Sequence, residues 1–372
     1  MKRLALALLI SVAMAAGYSS AQNTPAAKAD IGAGKALVAQ QCKGCHGMDG
    51  RGIAPGIPNL AGQRDRYLVA ALREYKQGQR IHAAVRVMAE TLNDSGERSV
   101  AAYYSSLPPA PAKRVEIFSP YDHGRDLAQA CMQCHGRDGN SVVPGTPSLS
   151  GQQPDYLVAS IQEYLAGARE KAPMHSLIRD LKGRDMESLA LYFASQPRAQ
   201  HGSWPRGDAA LGGQLTAVCA GCHGARGVST DSATPSLASQ DPEYLVNALK
   251  AYRAGRKHGA MQRAVGALIK SDNDAENIAA FYAAQPGAAA LRGRTLIQDI
   301  ADKCNRCHIG SLNNPAMTVP NINGQDEDYL IMALRSYRED RRESSAMHKM
   351  TMPYRDSVIE GIASYYASRS PK

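Results

Sequence analysis

Two cysteines separated by two residues and followed at once by a histidine stand at Cys42-Lys43-Gly44-Cys45-His46. The arrangement returns at Cys131, Cys134 and His135, at Cys219, Cys222 and His223, and at Cys304, Cys307 and His308, and the copies use all eight cysteines of the chain. On one helical turn two such thiols lie close enough to add across the two vinyl groups of one porphyrin, and the next residue's imidazole then points at the iron. The pattern therefore reads as c-type haem attachment, with one covalently bound haem c per copy and four in all. Zinc is the competing chemistry for paired Cys-x-x-Cys. A zinc ribbon brings two pairs together at about 15–20 residues, whereas these copies recur every 85 to 89 residues. Disulfides would leave the four histidines unexplained, and a thioredoxin-like site calls for one pair beside a βαβ pattern.

A repeat of that length divides the 372 residues into four units, and a repeat is read before fold class. Ahead of each motif comes a short helix with a glycine: Gly34 with Leu37, Gly124 with Leu127, Gly212 with Leu215, Gly293 with Leu296. Behind it come a glycine-rich loop and a proline element, at Pro58-Asn59-Leu60, Pro147-Ser148-Leu149, Pro235-Ser236-Leu237 and Pro320-Asn321-Ile322. Proline offers a carbonyl and no donor. That suits an acceptor for the N–H of the ligating imidazole, a bond that sets the ring's tautomer.

An amphipathic helix follows, with Tyr67, Leu68, Ala71, Leu72 and Tyr75 at helical period. Its counterparts run from Tyr156 to Tyr164, Tyr244 to Tyr252 and Tyr329 to Tyr337. Gly78, Gly167 and Gly255 stand where a glycine ends a helix, while Asp340 takes that place in the fourth unit and leaves its turn open. A last helix carries an aromatic pair in each unit (Tyr103-Tyr104, Tyr192-Phe193, Phe281-Tyr282, Tyr365-Tyr366), read as core packing. No strand pattern is present, so the expected class is all-α. Four tandem domains are expected at 28–108, 119–197, 206–286 and 289–370, each a small helical fold around one haem. Units this small bury little core alone, and a covalently held haem supplies the rest. Pro108-Pro109-Ala110-Pro111 reads as a stiff linker.

Met1-Lys2-Arg3 followed by the apolar run Leu4 to Ala16 reads as a signal peptide over 1–21, cut after Ala21. The run is short for a membrane span, and no other stretch is apolar enough for one. The expected location is the periplasm, by secretion. The formal charge of +9 falls to about +7 without Lys2 and Arg3, and the haem carboxylates bring the holoprotein near neutral. Nucleic acid is therefore not an expected partner, and surface lysines are left to steer redox proteins.

The haem loop, Pro-x-Leu, the Gly-Gln element (Gly62-Gln63, Gly151-Gln152, Gly324-Gln325, with Ser239-Gln240 in the third unit), the Tyr-Leu helix, Gly-x-Arg and the final aromatic helix together resemble the class I cytochrome c family, in its cytochrome c4-like form. The resemblance covers nearly all of the chain after the signal segment and implies two tandem pairs of domains. It also implies a sixth iron ligand, a methionine in the loop between the last two helices. Met174, Met261 and Met347 fit, nine or ten residues after the helix tyrosine and seven before Leu181, Leu268 or Tyr354. In the first unit that position is Val85, which cannot ligate iron. Met88, one turn on, is the expected ligand there, with His82 or an open iron as rivals.

Methionine–histidine ligation closes both axial positions and raises the potential, so such haems pass electrons. The expected function is a periplasmic multihaem carrier between respiratory donors, such as cytochrome reductases, and a terminal oxidase or reductase. The alternative is a haem oxidoreductase, for example one oxidising sulfur compounds, with the first haem as its catalytic site. No paired carboxylates or nucleotide-binding glycine pattern supports an enzyme, and a carrier is preferred.

Overall fold

The computed structural model describes residues 29–112, 115–169, 172–289, 297–309 and 318–371. The signal segment, Gly293 with Leu296, and the loop at 310–317 lie outside the described residues. Every regular element among the described residues is helical. The first unit has α1 (Ile31–Gln41), α2 (Lys43–His46), α3 (Asp65–Lys76), α4 (Ala83–Thr91) and α5 (Asp94–Ser106). The second has α6 (Pro120–Ala128), α7 (Met132–His135), α8 (Pro154–Leu165), α9 (Ala172–Ile178) and α10 (Gly183–Ala194). The third has α11 (Ala209–Leu215), α12 (Ala217–His223), α13 (Pro242–Arg253), α14 (Gly259–Leu268) and α15 (Asp272–Ala283). The fourth has α16 (Ile297–His308), α17 (Glu327–Arg338), α18 (Ser345–Thr351) and α19 (Asp356–Ala367).

The same local chemistry builds each unit. Asp30 and Asp208 cap α1 and α11 by accepting from the first free amides, and Ser119 caps α6. The first helix of units one to three crosses the last at a glycine. A Cβ on Gly34, Gly124 or Gly212 would lie 2.0, 2.0 or 1.9 Å from the carbonyl oxygen of Ser99, Ser188 or Asn277. Only a residue without a side chain allows that approach. The aromatic pairs are core, as expected: Tyr104, Tyr282 and Tyr366 are each 1% exposed. In unit one the pair also holds the loop after the motif, Tyr103 Oη donating to Met48 O at 2.9 Å and Tyr104 Oη to Gly47 O at 3.3 Å.

At two turns a non-glycine residue takes the conformation that glycine takes in the other units. Asp340 takes φ 55°, the left-handed conformation that Gly78 and Gly167 take at 77° and 70°. Ser239 takes φ 52°, like Gly62 at 66° and Gly324 at 67°. Its amide donates to Tyr282 O at 2.9 Å, as Gly62 donates to Tyr104 O and Gly324 to Tyr366 O. A hydroxyl bond from Ser239 Oγ to Gln285 O, 2.6 Å, offsets the strain.

The units do not pair in tandem, which corrects the expectation of a 1·2 and a 3·4 pair. Unit one packs on unit four: Asn59 N donates to Gln325 Oε1 at 2.7 Å and Gln63 Nε2 to Asn321 O at 2.8 Å. Unit two packs on unit three in the same way, with Ser148 N donating to Gln240 Oε1 at 2.7 Å and Gln152 Nε2 to Ser236 O at 3.0 Å. Units two and four then meet through Arg355, which binds Asp155 and lies 3.8 Å from Glu187. Ser357 N adds a bond to Glu187 Oε2 at 2.8 Å. The contacts run one–four–two–three. The stiff linker explains the crossing, because it leaves unit one along unit four: Ala110 O lies 3.3 Å from where a Cβ on Gly324 would stand, and Phe118 N donates to Ser364 Oγ in α19 at 3.0 Å.

Candidate haem centres

In every unit the second cysteine and the histidine sit on one short helical turn. Cys42, Cys131, Cys219 and Cys304 are half-buried, and Cys45, Cys134, Cys222 and Cys307 are exposed. Burial pushes the Cys42 thiol up to about 11, with Cys45 adding to the rise. The histidines turn inward, His135, His223 and His308 being 6%, 6% and 8% exposed.

The bond expected from the proline elements is present four times. Nδ1 of His46, His135, His223 and His308 donates to the carbonyl of Pro58, Pro147, Pro235 and Pro320 at 3.1, 2.8, 2.8 and 2.9 Å. A carbonyl only accepts, so Nδ1 carries the proton and Nε2 the lone pair. Burial lowers the basicity of His46, His223 and His308 further, against the opposing pull of those carbonyls. The ring is a neutral imidazole ready to ligate.

The methionines expected in a loop lie on short helices instead, Met174 in α9, Met261 in α14 and Met347 in α18, and α4, α14 and α18 start in the same register. Val85 N donates to Nδ1 of His82 at 3.3 Å, Met261 N to Nδ1 of His258 at 3.3 Å, and Met347 N to Oγ of Ser344 at 3.3 Å. Val85, Met261 and Met347 thus hold one position, and His82 is the helix-capping residue, exposed like His258. Met174, Met261, Met347 and Met88 are all half-buried. Met88 aligns with Ala264 and with Met350, which is 38% exposed.

At each pair interface lies a cluster of arginines and tyrosines. Arg80 and Arg342 donate to the one hydroxyl of Tyr67, both at 3.3 Å, and Arg80 also binds Glu74. Arg342 lies over the Tyr337 ring at 4.6 Å, as Arg256 lies over Tyr252 at 4.6 Å. Burial raises the Tyr67 hydroxyl, but the two guanidiniums bring it below its ordinary value. Nε of Arg342 is buried without a hydrogen-bond acceptor, and Nη2 of Arg256, buried and without a hydrogen bond, has the Glu163 carboxylate at 3.7 Å. Buried cations short of acceptors are costly, so the clusters fit a group that brings carboxylates. The whole donor set fits haem c: paired thiols on one turn, a neutral imidazole, a half-buried thioether on a short helix in three units, and guanidiniums for carboxylates. What such a group supplies when bound is one-electron redox chemistry.

The sequence reading recognised the Gly-Gln elements but not their role across units, and it passed over the residue after each glutamine. Arg64 and Gln153 stand there in units one and two, Asp241 and Asp326 in units three and four. Asp326 accepts from Gly56 N at 2.8 Å while Arg64 Nη1 donates to Val319 O at 2.7 Å. Asp241 accepts from Gly145 N at 2.9 Å and Gln153 Nε2 donates to Ser229 O at 2.6 Å. Each interface so combines one acidic partner with one donor, a signal that was available in the sequence.

Four sites with paired cysteines and an adjacent imidazole, set in helical units, have the donor set of a multihaem c-type protein. The cytochrome c family model matches residues 31–100 and 121–195. Cytochrome c4 of Azotobacter vinelandii is 31% identical over 189 residues, 45% of this chain and 89% of that protein. The thiosulfate dehydrogenase electron acceptor of Thiomonas intermedia (strain K12) is 31% identical over 176 residues, 43% of this chain and 80% of that protein. Among solved structures, reduced recombinant cytochrome c4 from Pseudomonas stutzeri shares 27% identity with a TM-score of 0.41, covering 44% of this chain and 98% of that one. The chain belongs to the cytochrome c family.

Proposed function

We propose that the protein is a periplasmic tetrahaem electron carrier, delivered by a cleaved signal peptide at 1–21 and built of four domains at 28–108, 119–197, 206–286 and 289–370. The cysteine pairs 42/45, 131/134, 219/222 and 304/307 hold one haem each, and His46, His135, His223 and His308 are the proximal ligands. Met174, Met261 and Met347 are the sixth ligands of units two to four. Met88 serves the first unit from the next turn, and is the most weakly held of the four. The interface arginines meet the haem carboxylates.

The observation that carries this reading is the fourfold recurrence of an imidazole tied at Nδ1 to a proline carbonyl beside paired thiols, buried in units two to four and half-buried in unit one. Closed axial positions in units two to four suit electron transfer and leave no place there for a substrate. Redox proteins are the partners, and no helix among the described residues is long and apolar enough to cross a membrane. The relation to a thiosulfate dehydrogenase electron acceptor favours a donor from sulfur-compound oxidation, with this chain receiving electrons.

A reductive titration monitored at the haem bands tests the proposal. Four one-electron steps per chain, with no turnover of thiosulfate by the isolated protein, support it. Fewer haems, or turnover without a partner, would sink it.

A further inference from the structure

The peptide group that joins each haem-side proline to its next residue is bonded at both ends. Pro320 O accepts the Nδ1 proton of His308 at 2.9 Å, and the N–H of that same peptide, on Asn321, donates to Gln63 Oε1 of unit one at 2.8 Å. Gln63 Nε2 returns a bond to Asn321 O at 2.8 Å. The reciprocal set holds His46: Pro58 O accepts from Nδ1 at 3.1 Å, and Asn59 N donates to Gln325 Oε1 at 2.7 Å.

Units two and three repeat both sets. Ser148 N donates to Gln240 Oε1 at 2.7 Å behind the His135–Pro147 bond, and Ser236 N donates to Gln152 Oε1 at 2.8 Å behind the His223–Pro235 bond. Gln152, Gln240, Gln63 and Gln325 are 4%, 3%, 5% and 7% exposed, so water does not compete for these bonds.

We infer that each of these glutamines is a positioning residue for the proximal histidine of the opposite unit, acting through one peptide group. Hydrogen bonds in series polarise one another in a low-dielectric interior. An acceptor on the peptide N–H makes its carbonyl oxygen more negative, which strengthens the bond from Nδ1–H. A more strongly bonded imidazole is a better electron donor to iron, and favours the ferric state. Each unit thereby sets the ligand strength of its neighbour: one acts on four, four on one, two on three and three on two. The inference rests on the haem-binding reading and goes beyond it, by naming what makes the four centres interdependent.

The test is Gln63→Met, of similar shape but without the amide, in the full holoprotein. Two readouts are taken: the Nδ1 proton resonance of each proximal histidine in the reduced protein, and the potential of each haem. The inference expects the His308 proton to move upfield and the unit-four potential to rise, with His46 and unit one unmoved. Gln325→Met should show the mirror result, and Gln63→Glu, which keeps an acceptor oxygen, should bring His308 back downfield. A shift in His46 under Gln63→Met, a shift in His135, or no shift overturns the inference. If Gln63→Met does not fold, Gln152→Met decides it through His223. Loss of haem from the wild-type chain would instead count against the haem-binding reading.

Discussion

Val85 occupies the position that Met261 holds two units later: each amide donates at 3.3 Å to the Nδ1 of the capping histidine three residues before it. The helix start is therefore the same in both units, and the side chain at the third helical position is valine in one and methionine in the other. The first iron should be the one that an outside ligand can reach. Reduced protein is expected to take up one equivalent of carbon monoxide per chain, and Val85→Met to abolish that uptake. Absence of uptake in the wild type would mean that Met88 or His82 closes the site firmly.

The junction of units two and four rests on charge. Arg355 binds Asp155, whose other oxygen accepts from Ser232 Oγ of unit three at 2.5 Å. Arg184 also lies 3.6 Å from Glu360. Arg355→Glu sets a carboxylate against Asp155 and Glu187, and should cost on the order of 1 kcal/mol at this partly exposed site. Small-angle scattering should show an expanded molecule whose 1·4 and 2·3 pairs persist. Adding Asp155→Arg with Glu187→Arg should restore the compact form.

The helix crossing at Gly124 leaves no room for a methyl group, since its Cβ would lie 2.0 Å from Ser188 O. Gly124→Ala must push α6 off α10, at a cost of about 3 kcal/mol by overpacking. Gly183→Ala, where a Cβ meets nothing within 4 Å, is the control. Chemical denaturation of the holoprotein should separate the two variants clearly.

Glu97, 1% exposed, accepts from Lys76 Nζ at 2.7 Å and Arg73 Nε at 2.9 Å. Burial raises its carboxyl, and the hydrogen bonds from Lys76 and Arg73 hold it below the ordinary value on balance. A group with a lowered folded pKa stabilises the fold above its unfolded pKa, and that contribution is lost as pH falls through the folded value. Unit one should therefore weaken as pH drops below about 4.5. Thermal melts from pH 7 to pH 3 should show a steeper loss for wild type than for Glu97→Gln, whose own deficit at pH 7 should be on the order of 2 kcal/mol.

Much of the centre was legible because it is local. Cys-x-x-Cys-His occupies a single helical turn, and the proline carbonyl twelve residues on reaches the histidine in all four units. The helix ends and the Gly-Gln turns were legible for the same reason, apart from Asp340 among the former and Ser239 among the latter. There a non-glycine residue takes a conformation that the sequence pattern assigns to glycine.

The sequence by itself determined the number of units, their all-helical form, the residues that can hold haem, and the departure at Val85. Each follows from contacts made within one unit, where spacing along the chain sets distance in space. The tertiary structure alone decided which unit faces which. Gln63, Gln152, Gln240 and Gln325 offer the same amide to the same kind of peptide, so that signal is degenerate. It is resolved by groups far apart in the chain: Arg64 with Asp326 at one interface, Gln153 with Asp241 at the other, and Arg355 with Asp155 between the two pairs. The bonds that these side chains make to the opposite backbone, the Arg355–Asp155 ion pair, and a proline linker that carries the chain past unit four together favour the nested order.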